Sequence, residues 1–270
     1  MKTAYGFTRF DTLAEFKTWI GKQAKYNYTG LQVHHTALPD YSCFYKSNGT
    51  TEDELTRQKS MKDFHMNTNG WSDIAQHFTV FPNGKIVTGR ALSKTTAIGI
   101  KGWNSNKICI EIYGNFDKDV MKAEQKEAVI CLYGELCKKF GITPSTSTIR
   151  CHAWFTAGGT YLGDYKAGKS AKTCPGLKFM GFGNTKSAFE KNFIPMIKEY
   201  INGKPTQSTT TNTGFRKYIV RTKVDLNGRE KASASSKIVL VAPKGVAVTI
   251  VGEEWNGTTK WLKTASGYYL

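Results

Sequence analysis

The chain has 270 residues, 40% of them hydrophobic and 13% aromatic, which gives ample apolar surface for packed cores and excludes a disordered chain. This length suits one domain of ordinary size and a smaller second one, because single cores rarely keep growing much beyond ~200 residues. A formal charge of +17 favours polyanions as partners, but no basic run interleaved with aromatics and no Cys/His finger accompanies it, so nucleic acid is not expected among them.

The opening residues, MKTAYGFTRFDTLAEF, hold no apolar run of the length a secretory signal needs, and no stretch reaches the ~18 apolar residues of a membrane span. A product made in the cytoplasm, without a signal peptide or a span, is expected. TLAEFKTWIGKQ reads as a helix and LQVHH as a strand that ends on His34 and His35. EDELTRQKSMKDFHMN is helical in pattern, HFTVF and KICIEIYG are strands, and MKAEQKEAVICLYGELCKKF and SAFEKNFIPMIKEYI are helices. Between the last two lie IRCHAW, which follows a Thr/Ser-rich turn and carries His152, and KTCPG, whose proline leaves Cys174 on a loop. Apolar strands alternating with helices predict an α/β or α+β class with a central mixed β-sheet flanked by helices.

GKPTQSTTTNTG, residues 203–214, has no apolar periodicity and reads as a flexible linker between a first domain at 1–202 and a second at 215–270. The second shows only short β-favouring segments, KYIVRT, KIVLVA, VAVTIVG and KWLKT, broken by NG, PKG, NG and SG turns, which predicts a small all-β barrel. Residues 203–270 hold 11 Lys and Arg against 4 Asp and Glu, so the basic character is not a tail. Six cysteines at irregular spacings, in a chain without an export signal, do not suggest a disulfide framework.

Five histidines, at 34, 35, 65, 77 and 152, are few enough to weigh singly. A zinc site needs imidazole nitrogen or thiolate sulfur from separate elements, with one coordination position left open. His34, His152 and Cys174 meet that need by residue type, yet 118 positions separate the two histidines and no local motif fixes their geometry. Taken alone, each reads better as a core residue than as a ligand.

The surrounding blocks change that balance. VHHTA, FHMNTNGWSDIAQHF, FPNGKIVTGR, IEIYGNF, CHAW and KTCPG follow one another in the order of the N-acetylmuramoyl-L-alanine amidase type 2 family, which the chain resembles over roughly residues 28–200. That family is similar to the peptidoglycan recognition proteins and the phage lysozyme-type amidases. The resemblance implies a zinc ion (Zn2+) held by His34, His152 and Cys174, with His35 turned to the opposite face of its strand. It implies hydrolysis of the amide between N-acetylmuramic acid and L-alanine in bacterial peptidoglycan.

Where many relatives carry a tyrosine, this chain has Gln76, which can act as neither acid nor base. Other branches place a glutamate in a context similar to KICIEIYGNF, which makes Glu111 the expected general base and acid; a carboxylate inside an apolar strand is costly unless paired or functional. Lys172, two residues before Cys174, resembles the lysine that stabilises the oxyanion. His77 falls on the strand face opposite Gln76 and ranks low as a site residue. The Gly- and aromatic-rich segment 153–171 is longer than in many relatives and is expected to form a wall of the substrate groove.

The C-terminal segment resembles bacterial SH3-type domains, which in phage and bacterial lytic enzymes bind the cell wall. Trp255, Tyr268 and Tyr269 would offer ring faces to sugars and crosslinks, whereas Trp261 is expected to pack inside the barrel. The whole then reads as a monomeric phage-type endolysin or autolysin that acts on the wall after release from the cytoplasm. A non-catalytic peptidoglycan-recognition module and a zinc peptidase cutting within the stem peptide are the alternatives.

Overall fold

In the computed structural model the described residues are 1–203, 218–256 and 259–270, the side chain of Trp255 excepted. The linker read at 203–214 lies outside them apart from Gly203, and so does any ring face of Trp255. The chain divides into two compact units, Met1–Thr206 and Gln207–Leu270.

The first unit is built on a seven-stranded mixed sheet. Strands β1 (Lys2–Ala4), β2 (Phe7–Phe10), β3 (Gly30–His35), β4 (Phe78–Val80), β5 (Ile86–Thr88), β6 (Lys107–Ile112) and β7 (Ile149–Cys151) lie in the order β1-β2-β5-β4-β6-β3-β7. The strands β4, β6, β3 and β7 run parallel, and β5, β2 and β1 add an antiparallel edge. Helices α1 (Leu13–Lys22), α2 (Tyr41–Phe44), α3 (Glu54–Asp63), α4 (Ala123–Phe140), α5 (Lys186–Ala188) and α6 (Ile194–Ile201) complete it, with wide π-helical turns at Phe64–Thr68 and Phe189–Phe193. This is the expected α/β class.

Local chemistry explains the helix limits. Thr12 and Glu15 form a reciprocal capping box at the start of α1, Asp53 accepts from the Thr56 N–H at the start of α3, and Gly141, at φ +66°, ends α4 in the left-handed region. In α4 the unbroken buried run from Ala128 to Gly134 goes more than once round the helix, because the helix is covered by α1 and α6 as well as lying against the sheet.

Two cores follow from the period-2 alternation of the strands. Leu31 and Val33 of β3 join Ile108, Ile110 and Ile112 of β6 and the α4 face in the larger core. Phe7, Leu55, Met61, Val87 and Tyr113 form a smaller one with α3. Residues of the other parity in β3 and β6, Gln32, His34, Cys109 and Glu111, are therefore turned away from the larger core.

The second unit is all β, with a three-stranded sheet of β12 (Thr259–Thr264), β11 (Ala247–Asn256) and β8 (Tyr218–Arg221) and a two-stranded one of β9 (Leu226–Arg229) and β10 (Ile238–Ala242). The chain end joins them: Tyr269 bridges to both Arg229 and Lys263. Trp261 is buried, in keeping with packing inside the unit, and Tyr268 and Tyr269 are partly exposed. Among the described residues no helix is long and apolar enough to cross a membrane.

Candidate metal centre and cleft

The carboxyl ends of the parallel strands collect the chemistry, as the topology of open α/β sheets favours. His34 stands near the end of β3, directly beside Glu111 of β6 in the parallel register. His152 follows β7 in a single 3-10 turn, His152–Trp154, and the Ala153 N–H donates to the Cys174 carbonyl at 2.7 Å, drawing the distant KTCPG loop against it. Donor atoms of His34, His152 and Cys174 lie within 4.8 Å of one another. The His34 and His152 rings meet edge to face at 5.3 Å, and His34 Nδ1 is 3.6 Å from Cys174 Sγ.

These donors fit a zinc ion. A four-coordinate centre with bonds of ~2.0–2.3 Å separates its donors by roughly 3.3–3.8 Å, a range that includes the 3.6 Å between His34 Nδ1 and Cys174 Sγ, and two imidazoles with one thiol is a borderline-soft set that suits the metal. Burial holds His34 well below its ordinary pKa, and burial followed by the charge of Lys172 lowers His152 to about 4, so both rings stay neutral with a lone pair to give. Burial and then Glu111 push the Cys174 thiol up, a cost that a bound cation offsets by favouring the thiolate.

The centre opens on a cavity of about 700 Å³ whose lining includes His34, Gln76, Glu111, His152, Lys172 and Cys174. Glu111 Oε2 is buried with no hydrogen-bond partner among the described residues. Burial raises the Glu111 carboxyl to about 8 and Lys172 opposes that rise. Lys172 itself is exposed. The five residues singled out for the site, at 34, 111, 152, 172 and 174, thus meet in one cleft.

Gln76 also lines it, but its orientation is fixed from behind. Gln58 Nε2 donates to the Thr88 carbonyl, the Thr79 hydroxyl donates to Gln58 Oε1, and Gln76 Nε2 donates to Thr79 Oγ1 at 3.0 Å. Gln76 Oε1 is left buried without a partner among the described residues. His77 belongs elsewhere: Nδ1 accepts from the Cys109 N–H at 3.1 Å and Nε2 faces the Lys94 carbonyl and the Tyr28 hydroxyl. His35 accepts from the Phe116 N–H through Nδ1, and its own N–H donates to Cys174 Sγ at 3.4 Å. His35 lines the cavity as well, but its Nδ1 is occupied by the Phe116 N–H.

None of the residues of segment 153–171, expected to form a wall of the substrate groove, lines this cavity. Phe155 stacks on Trp103, and the Arg150 guanidinium lies 5.0 Å from the Trp103 ring and 4.1 Å from the Tyr161 ring. Cation–π contact draws the segment onto Trp103 and Arg150 rather than into the cleft. The sequence did not single out Gln32 and Gly99, which flank His34 Nε2, or Asn104, which holds Gln32; the alternation that places Gln32 on the same face was the signal available for the first.

Residues 24–177 match the family model described as N-acetylmuramoyl-L-alanine amidase. Peptidoglycan-recognition protein 2 of Holotrichia diomphalia is 30% identical over 129 residues, covering 45% of this chain and 64% of that protein. Peptidoglycan-recognition protein SC2 of Drosophila melanogaster is 26% identical over 119 residues, covering 42% and 61%. The chain thus spans a little under two thirds of the length of these relatives. Among solved structures, the N-acetylmuramoyl-L-alanine amidase LysC from Clostridium intestinale aligns at 23% identity and a TM-score of 0.41, over 66% of this chain and 87% of that one. With more than half of its length matched by the family model and the three donors gathered at the sheet's carboxyl edge, the chain belongs to the N-acetylmuramoyl-L-alanine amidase family.

Proposed function

We propose that the first unit is a zinc-dependent N-acetylmuramoyl-L-alanine amidase and that the protein acts in cell-wall lysis as a phage-type endolysin or autolysin. The observation that carries this reading is a buried, unpartnered Glu111 carboxyl beside three convergent metal donors in one cleft. A recognition module has no need of either, since both cost desolvation.

His34, His152 and Cys174 would hold the ion, which when bound supplies Lewis acidity to a carbonyl and to water. Glu111 Oε2 takes the proton of the attacking water and hands it to the leaving amide nitrogen. Burial favours its protonated, proton-donating form, and the charge of Lys172 opposes this in favour of the proton-accepting form, as a bound cation also would. Lys172 sets a positive charge at the cleft where the carbonyl oxygen gains negative charge. The second unit would bind the wall as an SH3-type domain; its all-β build and its basic composition support that assignment.

Purified cell walls incubated with the zinc-loaded protein should release new N-terminal alanine. Cys174→Ser should lose both the metal and this product. A different new amine would make the enzyme a peptidase of the stem peptide. Binding to walls with no new amine at all would leave a recognition module and end the amidase reading.

A further inference from the structure

Gln32 precedes His34 by two residues in β3, shares its face and is fully buried. The orientation of its amide is set by a chain of donors that begins in the backbone. The N–H groups of Gly99 and Ile100 donate to Asn104 Oδ1 at 3.2 and 3.0 Å, which identifies that atom as the oxygen. Gln32 Nε2 then donates to Asn104 Oδ1 at 2.9 Å and to the Trp103 carbonyl at 2.6 Å. Two acceptors on one side place the NH2 there, so Gln32 Oε1 is the atom that faces His34 Nε2 at 3.3 Å. An acceptor opposite Nε2 requires a proton on that nitrogen. In a neutral imidazole Nδ1 is then bare, and it is Nδ1 that lies 3.6 Å from Cys174 Sγ.

Gly99 supplies a second, independent observation. A Cβ added there would stand 2.2 Å from Gln32 Oε1 and 2.8 Å from His34 Nε2. Only a residue without a side chain leaves room for these two atoms to meet.

We propose that Gln32, held by Asn104 and given space by Gly99, is a positioning residue that locks His34 in the Nε2–H form and aims the Nδ1 lone pair at the metal centre. The last clause rests on the zinc reading above; the choice of nitrogen does not. Outer partners of this kind orient a ligand ring and raise its basicity, and their loss typically costs about 10–100-fold in metal affinity.

The test has two arms. Nitrogen–proton correlation spectra of the metal-free full-length protein should show His34 protonated on Nε2 and bare on Nδ1; a proton on Nδ1 overturns the proposal whatever the metal does. Zinc affinity, read by competition with a chromophoric chelator, should weaken about 10–100-fold in Gln32→Met. The zinc-induced rise in melting temperature should shrink with it. Asn104→Ala, which keeps the glutamine and removes an acceptor that orients it, should shift both readings in the same direction, and it carries the test if Gln32→Met fails to fold. A merely structural glutamine would lower the melting temperature of the metal-free protein and leave the zinc affinity at the wild-type value, which also overturns the proposal. If the wild-type protein binds no zinc, the metal reading falls, and the spectra of the metal-free protein alone decide the role of Gln32.

Discussion

Glu111 stands in β6 between Ile110 and Ile112, both fully buried in the larger core, yet its own side chain points the other way, beside His34. Glu111→Gln keeps the shape and removes the proton. General acid–base groups of this kind contribute about 10²–10⁴-fold, so kcat on wall fragments should fall by that factor while zinc content stays at one ion per chain. A variant with unchanged kcat would assign the proton to another group. The donor triad was legible in the sequence only through the ordered blocks around it, because 118 positions separate His34 from His152 and spacing alone cannot bring them together. The shell behind His34 escaped notice for a different reason. Gln32, Asn104 and Gly99 carry no charge and no metal-ligand chemistry, and their role comes from which way an amide is turned, a property that depends on backbone atoms distant in sequence.

At the scale of elements, the buried strands and long helices were readable because their apolar runs are strong, whereas β1, β2, β5 and β7 are three or four residues long and show no period; β4 is as short but lies in the apolar run HFTVF. The pattern also carried the helical runs EDELTRQKSMKDFHMN and SAFEKNFIPMIKEYI but not their wide turns: the first passes from α3 into the π-helical Phe64–Thr68 and the second holds Phe189–Phe193, a difference in hydrogen-bond register that side-chain spacing barely registers. One loop matters more to the site than any of these. Residues 173–178 hold Cys174 in place through Asp117, whose Oδ2 accepts from the Thr173 hydroxyl at 2.6 Å and whose Oδ1 accepts from the Leu177 N–H at 2.8 Å. Asn184 Nδ2 adds a bond to the Thr173 carbonyl, and the Lys178 N–H donates to the Phe116 carbonyl. Asp117→Ala removes both carboxylate contacts at a surface-facing loop, so global stability should fall by only about 1–2 kcal/mol. The larger effect should be local: faster amide exchange across 173–178 and a zinc affinity weakened by several-fold, because the thiol is no longer prepositioned. Hydrogen exchange and chelator competition on the same sample separate the two, and unchanged exchange in this loop would show that the peptide contacts alone suffice.

For the molecule as a whole, the division into two units joins a cleft of defined chemistry to a small β unit whose composition is strongly basic. On the function proposed above, an insoluble, anionic polymer would reward that arrangement, since a tethered binder raises the local concentration of cleavable bonds without altering the site that cuts them. The same physics predicts how a chain ending at residue 203 should behave. Its catalytic unit has its own sheet and its own cores, none of them built from residues of the second unit, so its melting temperature and its zinc content should match those of the intact protein. On a soluble muropeptide, which has no surface to be held against, its kcat/KM should also be unchanged. On intact walls its rate should drop by on the order of tenfold or more, and the loss should be greatest at low protein concentration, where tethering matters most. Added salt should narrow the gap, because it screens the attraction between a basic unit and an anionic wall. Equal rates on walls and on soluble fragments for the two forms would remove wall binding from the second unit and leave its basic surface to another partner.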